Sequence, residues 1–163
     1  MNKILYALIF CASLFILGCN QGKNTGAENS ADSLSNSTEC YTAVFQTDTA
    51  SLKVITAADG KVTGDLTISF GELKPNSVEK MVNVGQIAGS FKGDTLFVDY
   101  SYKSGTINKS TFKNPLAFLK KGENLVLGVG DIETYMGRSY FAPGKPIDFG
   151  ASRFTFVPVQ CEE

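Results

Sequence analysis

Apolar and polar residues alternate with a period of two along most of the chain after Cys40, as they do in half-buried β-strands. Turn sequences such as Asp59-Gly60 and Lys92-Gly93-Asp94 interrupt the alternation. No segment shows the period of an amphipathic helix, so the pattern predicts an all-β fold. The predicted strands cover residues 41–46, 52–56, 62–70, 82–91, 95–102, 111–119, 124–135, 138–141 and 152–159.

The faces of these strands predict how the sheet curves. Even-numbered residues from Val62 to Phe70 and from Leu96 to Tyr102 form apolar faces. Between them, Val82 and Val84 are out of phase with Ile87 and Phe91, which predicts a bulge near Gly85. Pro115 predicts an edge or a second bulge. About eight to ten short strands favour a single small antiparallel meander curled into a calycin-like barrel, with a β-sandwich as the alternative.

The first forty residues predict export and lipidation. Residues 1–18 combine one positive charge with a short apolar run, as signal peptides do. Ile16-Leu17-Gly18-Cys19 resembles the lipobox of bacterial lipoproteins, in which the cysteine becomes the acylated first residue. We therefore expect lipidation of Cys19, a flexible tether over residues 19–39 and a folded domain over residues 40–163. The alternatives are an ordinary signal peptide or an uncleaved anchor with an incidental cysteine.

The cysteine count supports an oxidising compartment. Of the 4 cysteines, Cys11 lies in the predicted signal peptide and Cys19 in the lipobox. The remaining pair, Cys40 and Cys161, stands near the two ends of the folded part, which predicts a disulfide. Two unpaired thiols are the alternative.

Charge and composition narrow the range of functions. The chain has 15 Lys and Arg, 16 Asp and Glu and 0 His, with a formal net charge of −1, so we expect no nucleic-acid partner. Without histidine or a spare thiol, the chain lacks the common nucleophile–base pairs and zinc ligands. We therefore expect a monomeric, non-enzymatic protein with no metal or cofactor, attached to the outer membrane by its lipid and facing the periplasm or the cell surface.

Two groups of side chains are candidates for a site. Asp131 and Glu133 stand two residues apart on a predicted strand, a spacing compatible with acid/base catalysis, although two exposed acids are the plainer interpretation. A second group could line a mouth of the barrel and bind a ligand. It consists of Tyr100, Tyr102, Tyr135, Arg138 and Tyr140. The apolar content favours a filled interior over a ligand cavity. Asp99 is expected to be exposed and paired with a lysine on a neighbouring strand.

The region from Cys40 to Cys161 resembles a family of small, uncharacterised lipoproteins common in the Bacteroidota. The resemblance rests on Cys40-Tyr41, residues 60–66, 85–89 and 93–100, Ala117-Phe118-Leu119, Gly128-x-Gly130 and the closing cysteine. It implies no activity. Asp32-Ser33-Leu34 also resembles a short O-glycosylation site reported in some bacteria of this kind.

These observations favour a lipid-anchored β-barrel module of the cell envelope that binds a protein, a glycan or a small apolar ligand. One alternative is a lysozyme-inhibitor-like role, because residues 136–140 are similar to the Ser-Gly-x-x-Tyr loop of those inhibitors. A second is an envelope hydrolase that uses Asp131 and Glu133, and a third is a purely structural lipoprotein.

Overall fold

The computed structural model describes residues 36–73, 75 and 79–162. The predicted signal peptide, Cys19, most of the tether and Asp32-Ser33-Leu34 lie outside these residues. The described residues contain no helix, and hence none long and apolar enough to cross a membrane. The strands in this part of the chain are β1 (Ser37–Phe45), β2 (Asp48–Thr56), β3 (Lys61–Ser69), β4 (Val82–Lys92), β5 (Thr95–Ser104), β6 (Phe112–Lys121), β7 (Asn124–Leu127), β8 (Ile132–Tyr135), β9 (Arg138–Phe141) and β10 (Thr155–Val159).

Eight of the strands close into an antiparallel barrel in the order β1-β10-β7-β6-β5-β4-β3-β2. From β1 to β7 each strand pairs with the next along the chain, and β10 closes the circle between β7 and β1. β8 and β9 form a separate two-stranded hairpin. The all-β barrel prediction is therefore confirmed, with the fold consistent with a calycin-like barrel and not with a two-sheet sandwich.

Inward-facing side chains pack the barrel with a continuous apolar core. The predicted faces of β3 and β5 point inward, because alternate residues of a strand lie on opposite sides of the sheet. The largest fully buried side chains are Phe118, Phe156, Leu52, Leu66, Ile87, Leu96, Leu125, Val54 and Val62. These residues occupy the interior, as the preference for a filled barrel predicted.

The predicted bulge near Gly85 is wrong. β4 pairs in unbroken register with both neighbouring strands, and Val84 faces outward. The strand instead passes very close to β5 at two inward-facing glycines. A Cβ atom on Gly85 would lie 2.1 Å from the Ser101 carbonyl oxygen, and one on Gly89 would lie 1.9 Å from that of Phe97. Glycine thus allows the tight curvature that we attributed to an extra residue.

The barrel closes at a short seam stapled by a disulfide. Only three residue pairs join β10 to β1, and only two join it to β7. Across this seam Cys40 and Cys161 are bonded, with an S–S distance of 2.10 Å, which confirms the predicted pair and excludes two free thiols. β1 begins at Ser37, so residues 37–39, assigned above to the tether, belong to the barrel.

The predicted strand over residues 124–135 is two strands, because the chain leaves the barrel after Leu127. Val129 and Asp148 exchange backbone hydrogen bonds of 2.9 and 2.7 Å outside the barrel. The flanking glycines make room for this layer. A Cβ atom on Gly128 would lie 2.4 Å from Ile147 Cγ2, and one on Gly130 would lie 2.9 Å from Phe141 Cδ1.

The β8–β9 hairpin folds back against the outer wall of the barrel, where β9 packs on β6. Beneath it lie Pro115 and Ala117, which pair with the outward-facing Asp99 and Phe97 and are nevertheless buried. Pro115 also lies beyond the part of β6 that β7 pairs, namely residues 118–121. Its predicted position at an edge is therefore confirmed, and no bulge forms there.

Candidate functional site

The five residues predicted to line one mouth of the barrel divide into two separate groups. Tyr100 and Tyr102 point into the barrel from β5, whereas Tyr135, Arg138 and Tyr140 belong to the external β8–β9 hairpin. The prediction of a single mouth site is wrong on this point. The physical reason is the exit of the chain from the barrel after β7, which puts the two groups on opposite sides of the wall.

Tyr100 is a buried hydrogen-bonding residue of the core. Its hydroxyl lies 3.0 Å from the carbonyl oxygen of Leu66 and 3.2 Å from that of Asn83. Burial, and to a smaller extent Tyr102, raise the pKa of the Tyr100 phenol, because the charged form would lose its hydration. Tyr100 is thus a neutral donor and a structural residue in the described core.

The turn of the β8–β9 hairpin presents apolar side chains to solvent. Met136 and Gly137 have φ values of 50° and 75°, as both central residues of a type I′ turn require. Tyr135 is 67% exposed and Met136 88% exposed. At the base, the Ala142 amide donates a 2.8 Å hydrogen bond to the Asp131 carbonyl oxygen. The hairpin therefore holds exposed aromatic and thioether groups on a hydrogen-bonded support.

An ion-pair cluster connects the hairpin to the wall. The Asp99 carboxylate on β5 lies 2.9 Å from Lys113 Nζ on β6, which confirms the predicted pairing with a lysine on a neighbouring strand. Arg138 Nη2 on β9 lies 3.6 Å from the same carboxylate oxygen. Two cations therefore share a single carboxylate in this cluster.

Two adjoining hollows flank this cluster on the outer wall. The first, of about 540 Å³, lies between the hairpin and β4–β6 and includes Phe97, Asp99, Arg138 and Tyr140 in its lining. The second, of about 410 Å³, extends over β2–β6 and shares Asp99 with the first. We name the first the hairpin hollow. It combines aromatic surface with charges of both signs, an arrangement suited to binding and not by itself to bond cleavage.

Asp131 and Glu133, the candidate acid/base pair, are both exposed. Asp131 precedes β8 and Glu133 lies within it, so the two do not share a strand in the predicted way. Neither lines the two hollows described above. The hydrolase hypothesis therefore stays a prediction.

The sequence analysis missed the wall side of the site. Phe97 is an apolar residue on the otherwise polar outer face of β5, and its position there was the available signal. Lys92 Nζ lies 5.6 Å from the centre of its ring. The hollow has depth because the residues of β4 that line it, Ala88 to Ser90, are small. The alternation pattern does not reveal this depth.

No protein-family model, curated protein or solved structure matches this chain. The class of protein is therefore defined by its own fold and site: a small disulfide-closed antiparallel β-barrel with a packed core and an external hairpin over a surface hollow.

Proposed function

We propose that this protein is a lipid-anchored, non-enzymatic module of the cell envelope that binds a protein partner through the β8–β9 hairpin and the hairpin hollow. The anchor is proposed from Ile16-Leu17-Gly18-Cys19, and the location at the outer membrane follows from it. The family of small Bacteroidota lipoproteins that the chain resembles fits this proposal and adds no activity to it.

The observation that carries the proposal is the set of side chains on the hairpin. Tyrosine, methionine and arginine are enriched at the centres of protein–protein interfaces, and the exposed hairpin carries Tyr135, Met136 and Arg138. The packed centre of the barrel leaves little room for a ligand there, which favours the outer surface as the site of a protein partner. The hairpin hollow beside these residues gives a partner side chain a place to insert.

Replacement of both tip side chains tests the partner site. The double variant Tyr135→Ala with Met136→Ala is expected to lose partners that co-purify with the lipoprotein from detergent-solubilised membranes. Both residues are exposed, so thermal unfolding is expected to stay within a few degrees of the parent protein. The matched control, Val44→Ala, changes a 66% exposed residue on β1, which is opposite β5 in the strand order. Retention of the same partners by the double variant would refute the proposal.

The anchor has its own test. The intact mass of the native protein is expected to equal the chain from residue 19 onward plus the masses of its acyl groups. Cys19→Ala is expected to abolish the lipid and release the protein from membranes. A native chain that carries no acyl group would refute the anchor and leave the hairpin proposal standing.

A lysozyme-inhibitor-like role is the second candidate, favoured by the position of residues 136–140. They begin in the exposed turn and end in the hairpin hollow, so the hairpin could enter the cleft of an enzyme. Purified protein should then inhibit c-type lysozyme, and the double variant at Tyr135 and Met136 should not. Full lysozyme activity at saturating concentrations of the protein would exclude this role.

A further inference from the structure

A second group of side chains at one end of the barrel forms a site of different chemistry from the hairpin hollow. We name this group the mouth; it comprises Ile68, Asn83, Tyr102, Phe112 and Asn114. Ile68 and Tyr102 pack against the core from the inside, and Asn83 and Phe112 pair directly with them on the neighbouring strands. Because paired residues of an antiparallel sheet lie on the same face, these side chains all point toward the barrel axis.

Three aromatic rings connect the core with the surface at the mouth. The rings of Tyr100 and Tyr102 are stacked with their centres 4.6 Å apart and an angle of 14° between their planes. Tyr102 in turn stacks on Phe112, with centres 5.5 Å apart and an angle of 29°. Phe112 is 39% exposed, so the outermost ring of the stack still has surface to offer. An apolar face of a ligand could continue this stack.

Amide groups lie beside the rings. Asn114 Nδ2 donates a 3.2 Å hydrogen bond to the Tyr102 hydroxyl, which holds that ring in place. The side-chain oxygen of Asn83 is buried and has no hydrogen-bond partner among the described residues. A buried acceptor without a donor destabilises the fold, so a ligand that supplies the donor would account for this position.

The mouth itself carries no charge, since its five residues are Ile, Asn, Tyr, Phe and Asn. The nearest acids already have partners. Asp48 accepts hydrogen bonds from Arg153 at 2.7 Å and from the Gly71 amide at 2.9 Å. Glu79 accepts hydrogen bonds from the Thr106 amide at 3.0 Å and from its hydroxyl at 2.5 Å. A cationic ligand would therefore lose its hydration without gaining either of these two carboxylates as a free counter-ion.

We infer that the mouth binds a neutral saccharide, with an apolar ring face on Phe112 and a hydroxyl donor at Asn83 Oδ1. A sugar ring has both features that the mouth requires: C–H groups that pack on an aromatic ring, and hydroxyls that donate and accept hydrogen bonds with amides. The site is separate from the hairpin hollow, and the inference stands whether or not the hairpin binds a protein.

Nuclear magnetic resonance of the native chain in detergent micelles tests this inference, with neutral methyl glycosides of hexoses and N-acetylhexosamines as probes. The amide signals of Asn83, Tyr102, Phe112 and Asn114 are expected to shift on titration. Phe112→Leu is expected to weaken binding about tenfold, equal to about 1.4 kcal/mol. Val157→Ala, at a 42% exposed position on β10 outside both sites, is the control and is expected to leave the saccharide affinity unchanged. A neutral oligosaccharide that ends in the same sugar then distinguishes two sources of the ligand. If the natural ligand is the end of a glycan, the oligosaccharide binds more tightly than the methyl glycoside. If the natural ligand is a free sugar, it does not.

Asn83→Leu gives an independent readout without any ligand. If Asn83 serves a ligand, replacing its unpartnered amide with an apolar group of similar size is expected to leave the free energy of unfolding unchanged or raised, while saccharide binding is lost. Three results would overturn the inference: no glycoside shifts the mouth signals, an aromatic probe such as indole shifts them when no sugar does, or Asn83→Leu destabilises the barrel strongly.

Discussion

At the scale of single residues, Tyr100 places a polar hydroxyl in the buried core of the barrel, where it has hydrogen-bond acceptors. The single proton of this hydroxyl is shared between the carbonyl oxygens of Leu66 and Asn83 on two neighbouring strands. Tyr100→Phe keeps the ring but removes this donor, and we expect the free energy of unfolding to fall by about 1–2 kcal/mol. Urea denaturation measures this change. Tyr135→Phe, at an exposed position, serves as the control and is expected to change the same quantity by less than about 0.5 kcal/mol. Equal stabilities of the two variants would contradict the assignment.

The buried phenols also predict instability at high pH. Burial, followed by the charge of Glu39, raises the pKa of Tyr41 from 10.0 to about 12, and burial raises that of Tyr100. The unfolded chain thus releases these protons from about pH 10 upward, while the folded chain retains them. The stability contributed by the neutral phenols is therefore complete below pH 10 and declines as the pH rises to about 12.

A spectroscopic titration measures this effect. The tyrosinate absorbance is expected to include a late stage, in which Tyr41 and Tyr100 ionise only as the barrel unfolds. In Tyr41→Phe the loss of stability between pH 10 and 12 should be smaller. Ionisation of Tyr41 and Tyr100 near pH 10 in folded protein would contradict the prediction.

At the scale of elements, Gly128 determines how the β8–β9 hairpin is held. A Cβ atom there would meet Ile147 and also Phe149, whose Cε1 atom would be only 2.7 Å away. Gly128→Ala is therefore expected to lower the free energy of unfolding by about 1–3 kcal/mol. It should also speed amide hydrogen exchange at Val129 and Asp148. Gly150→Ala is a milder control, because the added atom would meet only Asp148 Oδ1, at 3.2 Å. Unchanged exchange at Val129 would contradict this account of the hairpin.

A carboxylate joins the two long loops at the mouth. The hydrogen bonds of Glu79 to the side chain and then to the backbone of Thr106 lower its pKa below 4.5. The contact consequently adds stability above pH 4.5 and is lost as the pH falls through the lowered value. Amide exchange at Thr106, corrected for its intrinsic pH dependence, should lose protection in the acid range. Glu79→Gln should show weaker protection at neutral pH, and equal protection in both proteins at both pH values would contradict the role of this contact.

The sequence allowed the barrel strands to be predicted but not the exit of the hairpin. Even-numbered residues from Val62 to Leu66 face inward as expected, because alternation is a local property of a strand. The exit after Leu127 depends on Ile147 and Phe149, some twenty residues later, whose packing on Gly128 no local pattern encodes.

The candidate site was predictable in its residues and not in their grouping. Arg138 and Tyr140 both line the hairpin hollow, and Tyr102 lies at the mouth. Alternation assigns each residue to one of two faces, but it does not tell on which side of the barrel wall a strand runs once it has left the sheet. Phe97 became a site residue only through the hairpin that lies over it.

At the scale of the whole molecule, the disulfide secures the least extensively paired part of the barrel. Cys40 and Cys161 are 121 residues apart in sequence, and β10 has few backbone pairs on either side. Cys40→Ala combined with Cys161→Ala is expected to lower the free energy of unfolding by up to about 4–5 kcal/mol. Denaturant titration measures the loss, and amide exchange at Phe156 should show that β10 opens first. A double variant as stable as the parent protein would contradict this account of the seam.

The strand order separates the seam from the proposed partner site. β1 carries Cys40 and begins where the proposed tether ends, and β5, beneath the hairpin hollow, is opposite β1 in the strand order. A partner bound at the hairpin would thus contact the side of the barrel away from β1. The packed core keeps these two sides in fixed relation, since a close-packed interior has low compressibility.

Site-specific photo-crosslinking in living cells tests the central claim most directly. A photo-activatable amino acid replaces Tyr135 in the full-length protein, and, in a matched strain, Val44 on the opposite side of the barrel. Position 135 is expected to give one discrete adduct with a single envelope protein, and Arg138→Ala is expected to reduce its yield. The absence of an adduct at position 135, or the same adduct at position 44, would contradict the claim that the hairpin is the binding surface.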